Sequence, residues 1–167
     1  YFHLYRIKIM DKIEQLLQLF YADCILTLRL SQNTAATYKV TIKIFLLWLS
    51  QNRLKLKNVT TKDLTYYLVY RKTNGTDAQT ISKDISSLRA LGSFLVRKEY
   101  WIENHALMLD RPKASKKLPG VLSVEQVEKL LSVIDTSTHL GKRDDALFEL
   151  IYSCGLRISE AASLCIP

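Results

Sequence analysis

The stretch SQNTAATYKVTIKIFLLWL (Ser31–Leu49) decides the fold. Ser31-Gln-Asn-Thr34 offers a helix cap, and Tyr38, Ile42, Phe45 and Leu49 then recur at helical spacing. A helix with one apolar face needs partners to cover that face. Upstream, Ile13, Leu16, Leu17, Phe20, Cys24 and Leu28 make a second stripe and predict a first helix beginning after Met10. Downstream, Asn52–Val59 reads as a basic loop. Thr60 with Asp63 then opens a short third helix carrying Leu64, Tyr67 and Leu68, and Asn74-Gly75 stops it.

A fourth helix is predicted over Asp77–Arg97, with Ile81, Ile85, Leu88 and Leu95 on its apolar face. At about 100° per residue the opposite face collects Gln79, Ser82, Lys83, Ser86, Ser93 and Arg97. Short hydroxyls beside long cations suit phosphate oxygens and base edges, although the same pattern also serves a merely solvated face. After it comes RPKASKKLPG (residues 111–120), with four cations, two prolines, one glycine and no acid. This is the clearest linker in the chain, a strap for phosphates or an exposed hinge. Beyond it, Ser123-Val-Glu-Gln126 has capping-box spacing ahead of Val127, Leu130, Leu131 and Ile134. A further helix over Arg143–Ser153 ends at Gly155, and Leu156-Arg157-Ile158-Ser159-Glu160 opens a last one expected to run to the chain end.

The 167 residues, 48% hydrophobic and 24% charged, exclude a disordered tail, a collagen-like chain and a disulfide scaffold. Five glycines and three prolines leave little material for a turn-rich β-sandwich. The net charge of +8 is uneven: residues 1–120 hold 20 Lys and Arg against 9 Asp and Glu, whereas residues 121–167 hold 4 against 7. Such a balance favours an acidic partner, nucleic acid before anionic membrane. Cys24, Cys154 and Cys165 have no CxxC spacing and read as reduced, mostly buried thiols of a cytoplasmic protein. With His3, His105 and His139 they make no zinc pattern, so no metal site is expected. The longest apolar run, Ile44–Leu49, is too short to span a bilayer, and no signal peptide opens the chain. Residues 1–9 (YFHLYRIKI) precede Met10 and are expected to lie outside the fold, upstream of the natural start.

Three segments, in order, resemble the tyrosine recombinase (phage integrase) family, most of all its Xer-type bacterial members. Ser31–Leu49 is similar to the family's S-x-x-T-x-x-x-Y and F-x-x-W-L signature. ISSLRALGSFL (Ile85–Leu95), the strap and LPGVLSVEQVEKLL (Leu118–Leu131) resemble the fourth helix, the linker and the first catalytic-domain helix. RDDALFELIYSCGLRISEAASL (Arg143–Leu164) resembles the R-D-x-A block that ends in G-L-R-x-S-E. The fold this implies is all-α: a four-helix SAM-like DNA-binding domain over residues 10–110, a basic linker over 111–120, and the truncated start of a catalytic domain over 121–167. Two departures stand inside the match. Gly92 replaces an aromatic and should thin the core, and Asp84 stands where a basic residue is common.

The function implied is site-specific DNA recombination through a phosphotyrosine intermediate, without cofactor, metal or ATP, in chromosome dimer resolution. The partners implied are a double-stranded recombination site, gripped by a C-shaped clamp, and sister subunits in a tetrameric synapse. Arg157 aligns with the first catalytic arginine, and Glu160, three residues on, is placed to support it. Ser31, Thr34 and Lys39 would meet the DNA backbone, Ser82, Lys83, Ser86 and Arg89 the major groove, and Lys113, Lys116 and Lys117 the phosphates along the linker. The remaining family residues, the nucleophilic tyrosine among them, lie beyond the matched segments. The chain alone is therefore expected not to cut DNA. A phage or transposon integrase shares the chemistry, and a non-catalytic helical DNA-binding or interaction module is the alternative of another class.

Overall fold

The computed structural model describes residues 2–112 and 120–165, with side chains from residue 10 onward. The chain divides into two compact units, Tyr1–Ser115 and Lys116–Pro167. Among the described residues every regular element is helical.

The first unit holds α1 (Phe2–Leu26), α2 (Gln32–Gln51), α3 (Thr61–Thr73) and α4 (Ala78–Arg97), with short 3₁₀ turns at Leu56–Asn58 and His105–Met108. Helix α1 begins at Phe2 rather than after Met10. Residues 1–10 contain neither Pro nor Gly, so nothing in them stops the helix from extending backward. Ser31 caps α2, its side chain accepting from the Thr34 amide. Thr60 and Asp63 close a capping box on α3, and Asp77 caps α4.

The apolar stripes meet in one core. Ile13, Leu17, Phe20 and Cys24 of α1 pack with Ile42, Phe45 and Leu49 of α2, with Leu64 and Tyr67 of α3, and with Ile85, Leu88 and Leu95 of α4. Aromatic edges organise its centre: Phe45 and Tyr67 stand 5.0 Å apart in a T-shaped arrangement, and Phe20 meets Phe94 at 5.8 Å. Trp101, buried after α4, donates from Nε1 to the Leu56 carbonyl at 2.9 Å and ties the α2–α3 loop to the end of the unit.

Helix α4 departs from expectation at Gly92. Instead of a thin spot, the glycine is buried and Asn104 fills the space above it. A Cβ at position 92 would sit 1.9 Å from Asn104 Oδ1.

The second unit holds α5 (Val124–Ser132), α6 (His139–Cys154) and α7 (Ile158–Ala162). Ser123 and Gln126 form the expected capping box of α5. Helix α6 starts a turn earlier than read, because Thr138 caps it through the Gly141 amide. It ends at Gly155, whose φ of 63° needs the left-handed conformation. Helix α7 closes at Ala162 rather than running on. Among the described residues of this unit only Ala161 is buried, and Leu130, Leu140, Phe148 and Ile158 are exposed. Cys154 and Cys165 are accordingly exposed, against the expectation of buried thiols, while Cys24 is buried.

Candidate nucleic-acid interface

The outward face of α4 carries Gln79, Ser82, Lys83 and Ser86, with Lys83 exposed and both serines half-buried. Each serine hydroxyl donates one turn back, Ser82 Oγ to the Ala78 carbonyl and Ser86 Oγ to the Ser82 carbonyl, both at 3.0 Å. A donating hydroxyl oxygen can still accept. Ser86 Oγ accepts from Arg111 Nη2 at 3.2 Å. In the sequence Arg111 is only one cation of the strap. Its return to α4 depends on the path of the chain after Trp101, and no local pattern announces it.

Asp84 sits next to Lys83 in sequence but belongs to the opposite face. It is 1% exposed and accepts from Arg71 Nε at 2.9 Å. Burial pushes its carboxyl above the usual carboxylate range, against the pull of the Arg71 hydrogen bond and charge. The one acid within the α4 motif is thereby kept off the cationic face. Tyr67 lies near both charges, and its buried hydroxyl has no hydrogen-bond partner among the described residues.

Arg89 does not join that face. Its Nη2 donates to the Leu109 carbonyl at 2.7 Å and its Nε to the Ala106 carbonyl at 3.4 Å, so the guanidinium is turned into the unit. The sequence could not separate it from Lys83, because position 89 lies at the edge of the apolar stripe and either side was open to it.

At the start of α2, Ser31 and Thr34 share a 2.9 Å hydroxyl contact, and Ser31 is exposed beside the free amides of the first turn. Lys39 points to α1, where its Nζ lies 3.0 Å from Glu14 Oε1, and Lys43 reaches the other carboxylate oxygen at 3.8 Å. The Lys39 hydrogen bond, with both lysine charges, holds the Glu14 carboxyl below its ordinary range. Lys113, Lys116 and Lys117 lie outside the described residues.

In the second unit Arg157 is the N-cap residue of α7, and its side chain is 82% exposed. Glu160 takes hold of it twice: Oε2 accepts from the Arg157 backbone amide at 2.8 Å and Oε1 from Nη1 at 3.0 Å. The carboxylate thus fixes both the helix start and the direction of the guanidinium. No helix among the described residues is long and apolar enough to cross a membrane.

A family profile described as "Phage integrase, N-terminal SAM-like domain" matches residues 17–99, from within α1 to just past the end of α4. The chain belongs to the tyrosine recombinase family, and within it resembles the Xer recombinases. It is 34% identical over 155 residues to tyrosine recombinase XerD of Pasteurella multocida (strain Pm70), covering 93% of this chain and 52% of that protein. It is 35% identical over 156 residues to tyrosine recombinase XerC of Bacillus licheniformis, with 93% and 51% covered. To tyrosine recombinase XerC of Bacillus pumilus (strain SAFR-032) it is 39% identical over 108 residues, 65% of this chain and 35% of that one. The chain spans about half the length of the curated relatives it matches most fully.

Proposed function

We propose that this chain supplies the DNA-gripping part of a site-specific recombinase of Xer type. Residues 10–110 bind the recombination site, residues 111–120 link, and residues 121–167 open the catalytic domain. The observation that carries this reading is the α4 face. Ser82, Lys83, Ser86 and Arg111 converge there, while Asp84 is turned inward onto Arg71. A cationic surface with short hydroxyls, freed of its neighbouring acid, suits a phosphate backbone flanking a groove. Ser31 and Thr34 extend the contact to the α2 start. Lys39 joins it by exchanging Glu14 for a phosphate, and Lys113, Lys116 and Lys117 track the strand through the linker.

Arg157 takes the scissile phosphate. Its planar donors strengthen their bonds as charge develops on the phosphoryl oxygens, and Glu160 keeps the guanidinium aimed. In the full-length protein a tyrosine hydroxyl would then attack the phosphorus, losing its proton and forming a phosphotyrosine ester as one P–O bond to the DNA strand breaks. The leaving deoxyribose oxygen would depart as a free hydroxyl, which sister subunits would use to exchange strands between two sites. Chromosome dimer resolution is the setting that the Xer resemblance favours.

The experiment is a titration of duplex DNA against the chain at rising salt. Binding should weaken steeply, with a log–log slope near the number of phosphates neutralised. Lys83→Ala should lower that slope by about one. A flat salt response, or no binding at low salt, would end the DNA-binding reading.

A further inference from the structure

Residues 104–111 follow α4 without regular helix beyond one 3₁₀ turn, yet they are tied to it at several points. Arg89 donates to the carbonyls of Ala106 and Leu109. Asn104 Nδ2 donates to the Arg89 carbonyl at 2.9 Å and to Ser93 Oγ at 3.1 Å, and its Oδ1 accepts from the Ala106 amide at 3.1 Å. The absent side chain of Gly92 is what lets Asn104 in. Two residues past the last tether, Arg111 is exposed and donates to Ser86 Oγ. Among the described residues it makes no ion pair; its neighbour Asp110 is exposed as well and leaves it free.

We propose that Arg111 is a DNA-backbone contact of the α4 face, and that Arg89 is the positioning residue that holds it there. The inference deepens the DNA-binding reading above and rests on it. An arginine on an untethered segment would surrender both backbone and side-chain freedom on binding. Here Arg89 and Asn104 have already fixed the backbone, so less ordering remains when the phosphate arrives. The guanidinium fork, held against Ser86 Oγ, matches phosphate geometry better than a lysine would.

The test is a double-mutant cycle on the whole chain, using duplex DNA of arbitrary sequence and reading affinity and salt slope. Arg111→Ala should leave the melting temperature unchanged, weaken binding about fivefold and lower the salt slope by about one. Arg89→Lys keeps the charge and gives up the planar fork that spans the Ala106 and Leu109 carbonyls. It should weaken binding to a similar degree, and have no further effect once Arg111 is alanine. Additive losses would show that Arg89 meets DNA itself and would overturn its positioning role. If Arg111→Ala changes nothing while Lys83→Ala lowers the slope, the proposal fails and the DNA-binding reading stands. Absence of salt-dependent binding in the wild type would remove both. Should Arg89→Lys not fold, Asn104→Ala takes its place in the cycle: it removes a separate set of bonds, to the Arg89 carbonyl, Ser93 Oγ and the Ala106 amide, that holds the same segment.

Discussion

Asn104 occupies the space that any side chain at position 92 would need, its Oδ1 lying 1.9 Å from where a Cβ would be. A helical Gly→Ala exchange ordinarily gains about 1 kcal/mol in propensity. Here the amide cannot retreat cheaply, because it is bonded to the Arg89 carbonyl, Ser93 Oγ and the Ala106 amide. Gly92→Ala should therefore destabilise the chain by about 1–3 kcal/mol in urea melts, the usual range for overpacking. Adding Asn104→Ala should recover part of the loss. A variant more stable than wild type would show that Asn104 does not fill the notch.

Removal of Arg71 should expose the cost of the buried carboxylate it faces. Arg71→Ala leaves Asp84 unpaired at 1% exposure, which should cost about 3 kcal/mol at neutral pH. Burial already raises the Asp84 pKa, and the causes that lower it both come from Arg71. Without them the folded state binds a proton more tightly than the unfolded chain. Stability tied to that proton is fully present below the unfolded pKa and lost as pH rises through the folded one. The variant's loss should thus be greatest at neutral and alkaline pH and shrink on acidification. Denaturation across a pH series checks this, and a loss that grows toward acid would refute it.

The helices were legible because their signals are local. Ser31, Thr60, Asp77 and Ser123 each cap the helix that follows, and the stripes of Phe45, Leu64 and Ile85 meet in one core. What escaped the reading depends on residues distant in sequence. The partner of Gly92 is Asn104, that of Asp84 is Arg71, and that of Ser86 is Arg111. Arg89 and Lys83 are both cations on one helix, and only the return of residues 104–111 separates an inward from an outward role. The early starts have plainer causes: residues 2–9 hold no Pro or Gly to stop α1, and Thr138 caps α6 through the Gly141 amide.

Three helix ends share one device. After α2, α3 and α4, residues Arg53, Gly75 and Glu99 take φ values of 58°, 84° and 58°. In each case the next amide returns to the carbonyl five residues back: Leu54 to Leu49, Thr76 to Arg71 and Tyr100 to Leu95. Glycine adopts this conformation without strain, whereas a side chain costs about 1 kcal/mol. Glu99 is exposed and makes no ion pair among the described residues. Glu99→Gly should therefore stabilise the chain by roughly 0.5–1 kcal/mol, less the entropy that glycine adds to the unfolded state. A melting temperature below wild type would contradict this account of the α4 terminus.

Thiol chemistry should divide the cysteines as their surroundings do. Cys24 is fully buried between α1 and its neighbours, and burial, with Asp23 beside it, pushes its pKa up to about 11 against the opposing charge of Arg97. At pH 8 about one Cys24 in a thousand is then thiolate, the form that reacts. Cys154 and Cys165 are exposed on the second unit. A thiol reagent applied to the native chain should modify these two first, as read by mass spectrometry of the digested protein. Cys24 should follow only at the rate at which the first unit opens, and mild urea should accelerate it alone. Equal labelling of all three in native buffer would mean that α1 is not docked through Phe20 and Cys24, and the four-helix core would have to be redrawn without it.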